Sequence, residues 1–136
     1  MSPSTMNKIK SSIVINRSAQ EVFNFTIDPQ NTPKWVESVV VEETNETPPK
    51  LGTIYKNRDA QGNWREFEIT AFDEGVMFEM TKANDNNHVV YTFVPITDNQ
   101  CKLEYKVWSE GELHNTFTPE ILETILRDLK AFIEGQ

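Results

Sequence analysis

The residues that most catalytic and cofactor motifs require are scarce in this chain. Among 136 residues there are one cysteine, two histidines and five glycines. A lone Cys101 excludes an intramolecular disulfide. Its alternation with Leu103, Tyr105 and Val107 reads as a small buried hydrophobe rather than a reactive thiol. His88 follows the polar Asn86-Asn87 pair and His114 precedes the last predicted helix. Neither stands at metal-ligand spacing from Cys101 or a carboxylate, so no metal is expected. No glycine falls in a GxGxxG arrangement, and there is no phosphate loop or Ser-His-Asp or Cys-His set, so no cofactor is expected either. Basic residues are also short: 13 against 21 acidic, a net charge of −8. Phosphate backbones and anionic membrane surfaces repel such a chain, so no nucleic-acid partner is expected. No apolar run reaches membrane-spanning length, and Met1 to Lys10 lacks the apolar centre of a signal peptide. The expectation is therefore a cytoplasmic protein without membrane insertion.

What is present is enough for a core. Hydrophobic residues make up 38% and aromatic residues 10%, which argues against disorder. The length suits one domain, 1–136, with residues 1–7 polar and expected to be disordered. Ile9 to Ile15 alternates as a first strand. Ser18-Ala-Gln-Glu21 is a capping box ahead of a helix that stops near Asp28-Pro29. Thr32-Pro33 repeats the cap-then-proline signal and predicts a second short helix carrying Trp35. Strands are then expected over Ser38 to Thr44, Gly52 to Arg58, Trp64 to Phe72, Val76 to Thr81, His88 to Ile96 and Lys102 to Glu110, joined by tight turns as an antiparallel meander. One face of these strands collects Phe67, Ile69, Val76, Phe78, Met80, Tyr91, Phe93, Leu103, Tyr105 and Val107.

The chain closes on an amphipathic helix from Thr118 to Gly135. Ile121, Leu122, Ile125, Leu129, Phe132 and Ile133 share one face, and Glu120, Glu123, Arg127, Asp128 and Lys130 the other. A helix of about 16 residues spans roughly 24 Å. It covers part of a curved sheet, and the uncovered concavity would be a pocket.

The stretch Ile13-Val-Ile-Asn-Arg-Ser-Ala-Gln-Glu-Val-Phe23, then Asp28-Pro29, Trp35, Gly52 opening a strand, and the closing helix from Thr118 together resemble the START-like helix-grip superfamily. That group includes polyketide cyclase/dehydrase-like proteins and plant pollen-allergen lipid binders. The resemblance implies an α+β helix-grip fold: a curved antiparallel sheet of about six to seven strands around a long C-terminal helix, with two short helices after the first strand. It implies an apolar cavity more strongly than any activity. The strands lack long apolar insertions, so a pocket for a very large lipid is not expected.

Candidate ligand contacts follow. Phe67, Phe78, Met80, Phe93, Ile125 and Leu129 would pack against a small apolar or amphipathic molecule. Trp35, Tyr55, Tyr91 and Tyr105 supply aromatic surface with polar handles, as ligand contacts or as core aromatics bonded to backbone. Arg65 falls on the Phe67 side by alternation, where it holds a ligand carboxylate or phenolate or snorkels outward. His114 sits in a loop near the ligand entrance that the resemblance implies, or is simply exposed. Glu66 and Glu68 point opposite to Phe67, as a solvated outer surface with Lys56. Trp108 is expected outward, as a possible protein contact. Three functions fit: a binder of a small hydrophobic ligand, as monomer or weak homodimer; a polyketide cyclase/dehydratase-type enzyme; and a protein-interaction module.

Overall fold

The computed structural model describes residues 8–83, 87–110 and 118–135. The order is β1 (Lys8–Ile15), α1 (Ala19–Ile27), α2 (Thr32–Trp35), β2 (Val41–Thr44), β3 (Ile54–Arg58), β4 (Trp64–Asp73), β5 (Met77–Lys82), β6 (Asn87–Thr97), β7 (Gln100–Ser109) and α3 (Pro119–Glu134). The seven strands form one sheet ordered β1-β7-β6-β5-β4-β3-β2, and every pairing is antiparallel. This is the expected helix-grip fold.

Local chemistry explains the boundaries. Ser18 Oγ accepts from Glu21 N at 3.1 Å, closing the N-terminus of α1, and Thr118 Oγ1 accepts from Ile121 N at 3.2 Å to start α3. Gly75, at φ 76°, turns β4 into β5. The Thr32 expectation needs correcting: Asn31 occupies the cap position of α2, Thr32 is its first helical residue, and the Thr32 hydroxyl donates to Glu42.

α3 packs on β1 and α2, while α1 packs on β6 and β7. Leu122, Leu126, Leu129 and Ile133 of α3 are fully buried. Phe23 of α1 sits edge-on to Phe72, Phe78 and Phe93 at 5.9, 5.8 and 5.3 Å. Phe72 gets there through a bulge between Ile69 and Ala71, which sends Phe72 inward where strict alternation places Ala71. Val76 departs from the expected inner face: it lies in the turn before β5 and is 46% exposed.

Tyr55, 1% exposed on β3, donates its hydroxyl to Ile27 O at 2.5 Å and so ties the sheet to the end of α1. Tyr55→Phe leaves that buried carbonyl unpaired and should lower unfolding stability by about 1–3 kcal/mol, read by urea titration.

Candidate functional site

Between the sheet's concave face and the helices lies a cavity of about 600 Å³. Register sets its walls. Glu42, Asn57 and Arg65 are cross-strand partners on β2, β3 and β4, and so share a face. Tyr55, Phe67 and Lys82 form the next inward row. Met80 pairs with Val89, and Phe78 with Tyr91 and through it Tyr105. Ile121 and Ile125 of α3, with Trp35 and Val36 at the end of α2, cover the opposite side.

One end of the cavity is a polar chain. Glu42 Oε1 accepts from Thr32 Oγ1 at 2.5 Å, and Oε2 accepts from Asn57 Nδ2 at 3.0 Å. Asn57 Oδ1 in turn accepts from Arg65 Nε at 3.0 Å, and Arg65 Nη2 donates to Ser38 O at 3.2 Å. Burial raises the Glu42 carboxyl above its ordinary value, against the opposing pull of the Thr32 and Asn57 bonds and then the Arg65 charge. The other end is aromatic. Tyr91 and Tyr105 stack at 4.8 Å, with Trp35 edge-on to Tyr91 at 6.1 Å. Burial, and then its Tyr105 neighbour, hold Tyr91 well above the usual phenol range. Burial pushes Tyr105 up to about 12. Both phenols therefore stay protonated at neutral pH and act as hydrogen-bonding groups, not as bases. Tyr55 is raised by burial, then by the Glu42 and Asp28 charges.

Nine of the candidate residues lie on this wall: Trp35, Tyr55, Arg65, Phe67, Phe78, Met80, Tyr91, Tyr105 and Ile125. Phe93 and Leu129 do not. They are 1% and 0% exposed and belong to the packed core, Phe93 against Phe23 of α1. His114 lies outside the described residues. Glu66 and Glu68 are exposed on the outer surface, where Glu66 faces Lys56 across the strands. The carboxylate on the wall is instead Glu42, which alternation alone did not single out. It sits on a four-residue edge strand after a run of valines, whose uniform apolarity conceals which face is inward.

His88 and Trp108 lie away from the cavity, on the outer face. His88 is in β6 and stacks on Trp108 at 3.9 Å, with Nε2 2.9 Å from Glu110 Oε2 and Nδ1 2.9 Å from Thr81 Oγ1. Trp108 points outward as expected, but its indole N–H donates to Glu79 at 2.9 Å and its ring is half-buried. It is not an open contact surface. Cys101 is fully buried, and burial pushes its thiol up. No helix among the described residues is long and apolar enough to cross a membrane.

The family described as Polyketide cyclase / dehydrase and lipid transport matches residues 6–134. No curated protein matches the chain in sequence. Several solved structures share its fold. A START superfamily protein from Mycobacterium smegmatis aligns with TM-score 0.75 at 12% identity, covering 96% of this chain and 99% of that one. The Aha1 dimer from Colwellia psychrerythraea gives 0.74 at 14% identity, with 95% and 97% covered. Norcoclaurine synthase from Thalictrum flavum, in complex with dopamine and hydroxybenzaldehyde, gives 0.73 at 11% identity, with 98% and 90% covered. At these identities the likeness is one of fold.

Proposed function

The chain belongs to the polyketide cyclase/dehydrase and lipid transport family, and we propose that it binds a small amphipathic molecule between the sheet and α3. The observation carrying this reading is the cavity itself. Its volume of about 600 Å³ suits a small organic ligand, and its wall joins an aromatic end to a Glu42–Asn57–Arg65 polar end. The apolar body of a ligand would lie against Phe67, Phe78, Met80 and Tyr91, with its polar group toward Arg65. The two aromatic molecules held by norcoclaurine synthase in the same fold are of compatible size and character.

Native mass spectrometry of freshly purified protein tests this directly, and saturable one-to-one binding of the uncharged dye N-phenyl-1-naphthylamine tests it in solution. Met80→Trp puts an indole into the space and should weaken dye binding by about tenfold or more while leaving the melting temperature near that of the wild type. Failure of the wild-type protein to bind the dye or any copurifying molecule would sink the proposal.

Glu42 favours a second reading, a cyclase/dehydratase-type enzyme. A carboxylate raised by burial and oriented by Thr32 and Asn57 is equipped to take a proton from a carbon beside a carbonyl. Exchange of the α-protons of 2-tetralone for deuterium, followed by NMR, would then be accelerated by the wild type and not by Glu42→Gln. Equal rates from the two proteins would remove this reading.

A further inference from the structure

We infer that the aromatic end of the cavity is a second polar contact point, where the Trp35 indole N–H donates to an acceptor oxygen of the carbonyl kind on the ligand. This rests on the ligand-binding reading above and names a feature of that ligand. Trp35 is the last residue of α2, lies edge-on to Tyr91 at 6.1 Å and lines the cavity. It is 3% exposed, and its Nε1 has no hydrogen-bond partner. A buried donor without an acceptor costs stability, and native proteins leave few of them.

The other aromatic handles show what a purely structural role looks like in this protein. Tyr55 also lines the cavity, and its hydroxyl is taken by Ile27 O. The Trp108 indole donates to Glu79 at 2.9 Å, and Trp64 is 53% exposed and open to solvent. Of the three tryptophans, Trp35 is the one that is buried without a partner for its N–H. Beside it, the Tyr91 and Tyr105 rings stack at 4.8 Å, and their hydroxyls interact with each other. Two hydroxyls that meet share one proton between them, and no protein acceptor stands against the other proton among the described residues. The aromatic end therefore has more donors than acceptors. An indole N–H can only donate, so its partner has to be an acceptor. A carbonyl oxygen fits: its two lone pairs can accept from the indole and from a phenol, while the carbon skeleton stays on the apolar wall.

The test compares 2-acetylnaphthalene with 2-isopropenylnaphthalene, in which a methylene group replaces the carbonyl oxygen in a molecule of nearly the same shape. Affinities are read by displacement of N-phenyl-1-naphthylamine from the wild type and from Trp35→Phe, which keeps an aromatic ring and removes the N–H. The ketone-to-alkene affinity ratio should fall by about fivefold or more in the variant, the equivalent of one hydrogen bond, while the affinity for the alkene changes little. In proton–nitrogen correlation spectra of the wild type, the Trp35 indole proton should move downfield with the ketone and not with the alkene. That signal is assigned by its loss in Trp35→Phe or, should the variant misfold, by elimination with Trp64→Phe and Trp108→Phe. An indole signal that responds alike to both ligands, or an unchanged affinity ratio, overturns this inference and leaves the cavity reading standing. Wild-type protein that binds neither the naphthalenes nor the dye overturns both.

Discussion

Substituting aspartate for Leu129 should leave no folded protein. Leu129 is 0% exposed and belongs to the α3 stripe of Leu122, Leu126 and Ile133 that closes the core. Truncation to alanine at such a site costs about 2–5 kcal/mol. Aspartate loses the same packing and adds a carboxylate with no partner in apolar surroundings, several kcal/mol more. A domain of this size is stable by only about 5–15 kcal/mol. The expected outcome is loss of the cooperative urea transition and of near-ultraviolet circular dichroism. Ile121→Asp is the contrasting case. Ile121 shares the helix but is 40% exposed where it borders the cavity, so this variant should fold and lose apolar-ligand affinity. A folded Leu129→Asp protein with impaired binding would instead make the whole helix face a cavity wall.

That division within one helix marks how far periodicity reaches. Of the stripe Ile121, Leu122, Ile125, Leu129, Phe132 and Ile133, the spacing places Leu122, Leu129 and Ile133 in the buried core. It omits Leu126, which is 1% exposed, and it does not separate core from cavity. The separation depends on where the sheet curves away from the helix, and no local pattern encodes that. Strand chemistry was more legible. Within the expected strand Gly52 to Arg58, Thr53, Tyr55 and Asn57 are no more than 5% exposed, because an inward strand face has a period of two. The caps at Ser18 and Thr118 were equally readable, since each is a contact between near neighbours in sequence.

The candidate site was only half visible for the same reason. Its apolar wall follows from alternation along β4, β5, β6 and β7. Its polar end depends on pairings between distant segments: Glu42 with Asn57 across β2 and β3, Asn57 with Arg65 across β3 and β4, and Thr32 reaching over from α2. Thr32 in particular carries a capping signal that is locally sound. Asn31 nevertheless takes the cap position, which makes Thr32 the first helical residue, and its hydroxyl donates to the Glu42 carboxylate. The bulge between Ile69 and Ala71 likewise breaks parity without a glycine or proline to announce it.

Glu42→Gln should change the pH dependence of stability more than stability at any acidic pH. Glu42 has a folded-state pKa raised above its ordinary value of 4.5, chiefly by burial. The folded protein therefore holds this proton more tightly than the unfolded chain does. By linkage, the associated stability is fully present below the unfolded value and is lost as pH rises through the folded one. Above that point the ionised carboxylate carries a constant penalty of about 1.4 kcal/mol for each unit by which burial raises it. Glutamine cannot ionise and has no such loss. It also fits the hydrogen bonds: Arg65 fixes Asn57 Oδ1 as an acceptor, so Asn57 Nδ2 still points at residue 42, where the amide oxygen receives it. The amide NH₂ then donates to the Thr32 hydroxyl oxygen, the reverse of the present bond. Urea titrations of both proteins between pH 4 and 8 should start with similar stabilities and diverge, with the variant gaining on the wild type as pH rises. All other carboxylates cancel in that difference. Curves that stay parallel across the range would mean that residue 42 has the same proton affinity folded and unfolded. The poised carboxylate would then be lost, and with it the enzymatic reading that depends on it.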